Sequence, residues 1–297
     1  MLKGQGAENT TLIFELDSNE RDLIAVDGSI EQPIYNLIAS GNTNDSLIVL
    51  NSTTGINSGD YIQLFKNDTS LITSSWSLNT VGQIIEVQSV KGDTLVLESQ
   101  LRTYYPMTKQ PYIKKLNPTK NVGIECLKIT RRDTQTVHCA NIRFNYAVNS
   151  WVKGVESENC NFSHVNFIRS SNIEVRESYF HHAFDYGGGG AGYGVVAMYT
   201  SGECLVENNI FEHLRHSMLL QAGSNGNVFG YNYSLDPFWT GVSLPSNSAG
   251  DMVLHGNYVY ANLFEGNIGQ NIVIDDSHGA NGPYNMFYRN RAELYGI

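Results

Sequence analysis

From Asn117 onward the apolar residues come in short bursts separated by polar turns, and no stretch repeats them at helical spacing. Three segments share one form: Asn227-Val-Phe229-Gly-Tyr-Asn232, Asn262-Leu-Phe264-Glu-Gly-Asn267 and Asn285-Met-Phe287-Tyr-Arg-Asn290. Cys204-Leu-Val206-Glu-Asn-Asn209 keeps the pattern with Val in place of Phe, and weaker copies lie around Val175 and Val152. The central apolar residues stand at 152, 175, 206, 229, 264 and 287, with spacings of 23, 31, 23, 35 and 23. The chain therefore carries a 23-residue period, with 8 extra residues in one turn and 12 in another.

Such a period, built from short β-type segments, predicts a solenoid whose coils stack strand on strand, ~4.8 Å apart. Leucine-rich repeats have similar periods but need a recurring leucine consensus, which is absent. The expected fold is all-β, a right-handed parallel β-helix. Val175, Val206, Phe229, Phe264 and Phe287 would point inward as a column, and Asn209, Asn232, Asn267 and Asn290 would form a ladder of side-chain amides. Val122–Ile129 and Asn141–Phe144 read as earlier coil strands. Between about Asp22 and Ile113 the texture changes to alternating strands such as Ser46–Leu50, Asp60–Leu64, Gly82–Val87 and Asp93–Glu98, separated by turn residues, as in antiparallel hairpins. The expected division is a first coil over 1–21, an inserted β-rich subdomain over 22–115 and the β-helix proper over 116–297.

Composition sharpens this picture. Of 297 residues 41% are hydrophobic, enough for a sizeable core, and only 16% are charged, against about 25% in an average chain. Asparagine occurs 31 times, 22 of them from Asn117 onward, a usage that argues against long helices. The net charge is −10 and the basic residues are scattered, so no nucleic-acid partner is expected. No apolar run is long enough to span a bilayer. The four cysteines show no zinc-type spacing and read as free thiols. Met1 to Gly6 lacks the apolar core of a secretory leader, so the chain is either cytosolic or lacks its leader. Both ends open directly on coil segments, which predicts a fragment with a tendency to associate end to end.

The coil pattern together with Gly4-Gln-Gly6-x-x-x-Thr10-Thr-Leu-Ile-Phe14 resembles the pectate-lyase-like superfamily of β-helical proteins. That superfamily includes polysaccharide lyases, glycoside hydrolases, epimerases and phage tailspikes. The resemblance covers the first coil and Asn121 to Ile297, and it implies a polysaccharide or oligosaccharide partner, met as a secreted, periplasmic or cell-surface protein. The residues require no cofactor; a lyase site, unlike a hydrolase or a binding module, would leave room for Ca²⁺ beside its His, Arg or Lys. Asp275-Asp276-Ser-His278-Gly is a compressed echo of the Asp pair and Gly-His-Gly of polygalacturonase-type hydrolases. The Tyr-Gly-x-Asp-Pro-His signature of alginate epimerases is absent.

Both insertions fall after the ladder position and so leave one edge of the solenoid. The first runs from His181 through four consecutive glycines (187–190) to Gly194, and the second from Leu235 to Asp251. Glu212-His213-Leu-Arg215-His216 lies between them as the floor of a cleft. Counting from the turn aligns His182, His213 and Asp236 in successive coils. A lyase needs a base, a cation to neutralise a uronate carboxylate, and an acid for the leaving oxygen. His213 or His182 would be the base, Arg215 the cation and Tyr193 or Tyr186 the acid, with His216 beside them. A hydrolase needs two carboxylates, for which Asp236, Asp251, Asp275 and Asp276 are available. Asp185, Tyr186, Tyr193 and Trp239 are the expected sugar contacts, the aromatics by stacking. Histidines in stacked turns also serve as ladder members, and His255 and His278, one period apart, are read that way. The favoured function is β-elimination of an extracellular, uronate-containing polysaccharide. The alternatives are a glycoside hydrolase using paired Asp residues and a non-catalytic glycan-binding, adhesin or tailspike-like module.

Overall fold

The computed structural model describes residues 1–17, 19–134, 138–241 and 249–297. It contains the expected parallel β-helix, whose coils each contribute a strand to sheets A, B and C in turn. One coil, for example, runs Ser171–Arg176 in A, Tyr179–Ala183 in B and Tyr193–Met198 in C. The next runs Leu205–Glu207, Ile210–Glu212 and His216–Leu220. Ile268–Asp275 passes straight through the B–C corner and pairs in both sheets. Among the described residues there is no α-helix, only the 3-10 turns Ser75–Ser77 and Met107–Lys109.

The repeat is realised residue by residue. Val152, Val175, Val206, Phe229, Phe264 and Phe287 lie opposite one another in consecutive sheet A strands. They join the interior cluster, where the rings of Phe229, Phe264 and Phe287 stack at centroid distances of 5.1 and 4.8 Å. The Asn ladder forms at the A–B turn. Asn232 Nδ2 donates to Asn267 Oδ1 at 2.9 Å and to the Val206 carbonyl at 2.9 Å, while Asn232 Oδ1 accepts from the side chain and the backbone N–H of Asn209, both at 3.0 Å. A second ladder runs through the first asparagine of each repeat, Asn227, Asn262 and Asn285, at the C–A turn. The amides add to the coil-to-coil backbone bonds of these turns, such as the Tyr231 N–H to the Glu265 carbonyl at 2.9 Å, and satisfy polar groups that would otherwise be buried without partners.

The segment boundaries differ from the sequence-based division. Ile24–Asp27 pairs in parallel with Ala140–Asn145, Ile24 opposite Ile142 and Val26 opposite Phe144, because these residues fill the same interior. The first coil therefore closes at Asp27, not at residue 21. The insertion then runs through an antiparallel sheet in the order Ser29–Ile30, Tyr112–Asn117, Tyr61–Phe65, Gln83–Lys91, Thr94–Leu97 and Leu47–Val49, with its own core around Ile48, Leu64, Ile85 and Leu95. It docks on the C–A turns: Tyr260 Oη and Asn225 Nδ2 donate to the Gly82 carbonyl at 2.6 and 3.1 Å, and Thr200 Oγ1 donates to the Thr80 carbonyl at 2.7 Å. Gly223 sits in this seam with φ +71, and a Cβ there would lie 2.1 Å from the Thr80 oxygen, so only glycine allows the approach. The four cysteines are free.

Replacing Asn232 by Ala orphans buried donors and acceptors on two coils. We expect a loss of about 3 kcal/mol in urea unfolding, and a change below about 1 kcal/mol would show that the ladder does not hold the stack together.

Candidate functional site

Sheet C presents an unusual outer face. Val196, Leu219 and Val253 point away from the interior yet are fully buried, clustered with Tyr193 and Met198. The face is flanked on one side by the loops that follow sheet B, where Gly250 packs on Val273, and on the other by the insertion, where Gly279 abuts Thr73. Aromatic and imidazole rings cross this face in an unbroken chain. Arg215 lies between the rings of Trp239 and Tyr193, at 5.7 and 5.6 Å. Tyr193 is 5.0 Å from His216, His216 is 5.8 Å from His255, and His255 is 4.8 Å from His278. Trp76 of the insertion closes the chain, edge-on to His278 at 5.6 Å and to Tyr199 at 6.0 Å.

Two residues at the centre have complementary electrostatics. His255 Nδ1 donates to Asp275 Oδ2 at 2.5 Å, and Asp275 Oδ1 accepts from Ser277 Oγ and N at 2.7 and 3.1 Å. Burial pulls the Asp275 carboxyl upward, but the hydrogen bond and charge of His255, with the Ser277 bonds, outweigh it and hold the group at about 2. Asp275 is thus an ionised anchor that sets the His255 tautomer and leaves Nε2 as the acceptor. His216 is the opposite case. Burial, then the neighbouring Arg215, push it down to about 3, and its Nδ1 meets the Gly250 carbonyl at 3.0 Å. A carbonyl only accepts, so Nδ1 carries the proton, and the buried Nε2 has no partner among the described residues. Burial raises the Tyr193 phenol and lowers His278.

A second cluster occupies the turn that ends sheet B. His182, His213 and Asp236 are indeed equivalent, all in the left-handed region at φ 60, 52 and 48. The His182 and His213 rings stack at 5.1 Å, and His213 Nδ1 is 2.7 Å from Asp236 Oδ2. Phe238 covers the other face of His213 at 4.9 Å, and Tyr186 lies edge-on at 5.0 Å. His181 bridges to Glu156 at 3.3 Å.

The expected site residues thus separate into two groups. Tyr193, Arg215, His216, Trp239 and Asp275 come together on sheet C, whereas His182, His213, Asp236 and Tyr186 gather at the turn. Several expected roles need correction. His216 is buried rather than an open part of the floor, and Tyr193, equally buried among Phe162, His216 and Arg215, is not a ring on which a sugar can stack. One face of Trp239 is covered by Arg215, whose Nη1 donates to the Gly187 carbonyl at 2.5 Å, so the pair joins the two loops. Asp251 is wholly buried, its oxygens bonded to Ser234 and to the N–H groups of Gln270 and Asn271, and this commits it to structure. Asp185 is exposed and accepts from the Gly187 N–H, as a turn residue does. Asp276 is exposed at the end of its strand. Residues 242–248 of the second insertion lie outside the described residues. His255 and His278 are not ladder partners: because the B–C corner of that coil has no loop, the register places His255 opposite Asp275, 20 residues on. The sequence reading missed His255 as a site residue, and Trp76 altogether; a count of that loop-free corner would have exposed the first.

Among the described residues no three His, Cys, Asp or Glu side chains converge to hold a metal. Two hollows of about 500 and 570 Å³ lie elsewhere, one at the insertion seam by Arg102 and Tyr284, the other along the A–B turns. Neither is lined by the groove histidines.

Comparison with known proteins supports the fold. No family model and no curated protein matches the sequence. Among solved structures, the tailspike protein gp49 from Pseudomonas phage LKA1 is similar with a TM-score of 0.54 and 13% identity, over 97% of this chain and 64% of that one. Tailspike gp61 of Pseudomonas phage phi297 gives 0.47 and 11%, over 97% and 62%. The Gp54 tailspike of Acinetobacter baumannii bacteriophage AP22, in complex with A. baumannii capsular saccharide, gives 0.42 and 12%, over 99% and 66%. The chain therefore spans about two thirds of the length of these tailspikes, 64% of the first.

The buried imidazoles make stability depend on pH. His216 sits at about 3 in the folded chain against an ordinary 6.5, so the unfolded chain takes up the proton first. Stability is complete above pH 6.5 and falls as the pH drops from there toward 3. His216→Gln should flatten this decline by up to about 1.4 kcal/mol per pH unit, read from urea midpoints at pH 7, 6 and 5. An unchanged slope would contradict a neutral, buried His216.

Proposed function

We propose that the protein cleaves an acidic polysaccharide by β-elimination in the groove on sheet C, with His255 as the base. The observation that carries this reading is the His255–Asp275 pair at 2.5 Å, set among aromatic rings on an outward sheet face. In the step, His255 Nε2 takes the proton from the carbon beside the uronate carboxylate. The released electron pair forms the new carbon–carbon double bond, the bond to the glycosidic oxygen breaks, and that oxygen takes a proton from Tyr193. Burial raises the Tyr193 pKa, which keeps the phenol protonated until the leaving oxygen develops charge. Arg215 supplies the positive charge for the carboxylate, and its stacking between Tyr193 and Trp239 fixes its position.

A two-carboxylate hydrolase has less support. Its acid must be held protonated near neutral pH beside an ionised partner. Asp275 is held low, and the carboxyl that burial raises, Asp251, has its oxygens bonded to Ser234 and backbone N–H groups. A non-catalytic glycan-binding module fits the fold equally, and the lyase reading is preferred for the placement of the His255–Asp275 pair beside Tyr193 and Arg215. The fold, shared with a phage tailspike protein, suits a long cell-surface or extracellular polymer lying across stacked coils.

The test is the ultraviolet absorbance of unsaturated products from a panel of uronate polysaccharides. His255→Ala and Asp275→Asn should each lower kcat by roughly 10²- to 10⁴-fold with the fold intact by circular dichroism. New reducing ends without that absorbance would establish hydrolysis instead. Loss of activity in His213→Ala but not in His255→Ala would move the chemistry to the turn cluster.

A further inference from the structure

The groove continues past the histidines along the wall formed with the insertion. Ile168, Met198, Gln221, His255 and Asp275 occupy one register position in five consecutive coils. Arg169 and Tyr199 follow the first two of these, both in the left-handed region at φ 45 and 53. The Arg169 guanidinium lies over two rings, Tyr199 at 5.0 Å and Tyr146 at 5.8 Å. Arg143 on the same sheet pairs with Asp22 and Asp27, whereas Arg215, assigned above to the reacting carboxylate, bonds only the Gly187 carbonyl. Arg169 has no carboxylate partner among the described residues. Trp76, 44% exposed, makes T-shaped contacts with Tyr199 on the Arg169 side and with His278 on the histidine side.

We infer that Arg169, Tyr199 and Trp76 form a subsite for an acidic sugar, remote from the bond that is cleaved. This rests on the reading of the groove as a glycan site and deepens it by naming a second point of charge recognition. Three coil steps separate the Ile168 and His255 positions, which is ~14 Å along the helix axis. The anionic group bound by Arg169 therefore belongs to a different residue of the polymer from the one that loses its proton. A guanidinium anchored over aromatic rings and without a carboxylate partner still offers N–H donors that match a carboxylate or sulfate in bidentate fashion. Trp76 supplies the apolar face on which the intervening sugar stacks. The polymer would lie parallel to the helix axis, with acidic sugars recurring along it.

The experiment measures binding of the inactive His255→Ala protein to oligomers of alginate, galacturonan and glucuronan and to a sulfated galactan, each beside its carboxyl-reduced or desulfated counterpart. For at least one pair the acidic form should bind roughly 10- to 100-fold more tightly, with affinity falling as salt rises. Arg169→Gln should abolish that preference, Arg169→Lys should retain part of it, and thermal unfolding of both variants should match the parent. Equal binding of acidic and neutral forms, a preference that survives Arg169→Gln, or no binding across the panel would each overturn the subsite. Cleavage by the wild-type protein is scored separately. Arg169-dependent binding without cleavage sinks the lyase reading alone, and cleavage with an unaltered preference in Arg169→Gln sinks the subsite alone.

Discussion

Coil-to-coil stacking is the constraint on which everything else depends. Each strand of the helix finds its hydrogen-bond partners only in the coil before and the coil after, so a coil cannot be stable alone. Strands satisfy that demand through the backbone, and at the corners, where backbone pairing thins to single bonds and bridges, the two asparagine ladders reinforce it. Asn209, Asn232, Asn267 and Asn290 at one corner, and Asn227, Asn262 and Asn285 at another, each bond both a neighbouring amide and the backbone of an adjacent coil. With the corners held, the interior can be filled by one apolar column per sheet position.

That rigidity is what positions the chemistry. Side chains one coil apart are held at strand spacing, so His255 meets Asp275 without a flexible loop between them. Surroundings then differ between similar residues. Burial keeps His216 neutral, whereas His255 is hydrogen-bonded to a carboxylate, although both are histidines on the same face. The insertion completes the groove by bringing Trp76 over a wall that the helix does not supply.

Much of the fold was legible in the chain because the period is a local property. A residue every 23 positions marks the same place in each coil, and Phe229, Phe264 and Phe287 and the Asn ladder all lie where that arithmetic puts them. The alignment of His182, His213 and Asp236 was legible for the same reason, since no loop intervenes between the ladder and that turn. The reading weakened where coils change length. In the coil that lacks a loop at the B–C corner, the partner of His255 is 20 residues away, and period counting chose His278 in place of Asp275.

By itself, then, the sequence determined the architecture, the inward column, the ladder and the edge from which the loops emerge, because each depends on spacing within one coil and its neighbour. Tertiary structure decided which polar residues share a groove, that His216 and Asp251 are buried, that Arg215 is clasped by two rings, and that Trp76 faces the helix. Those outcomes depend on how the insertion docks on the C–A turns and how the loops fold over sheet C. They arise from contacts between segments far apart in the chain, which leave no periodic trace in it.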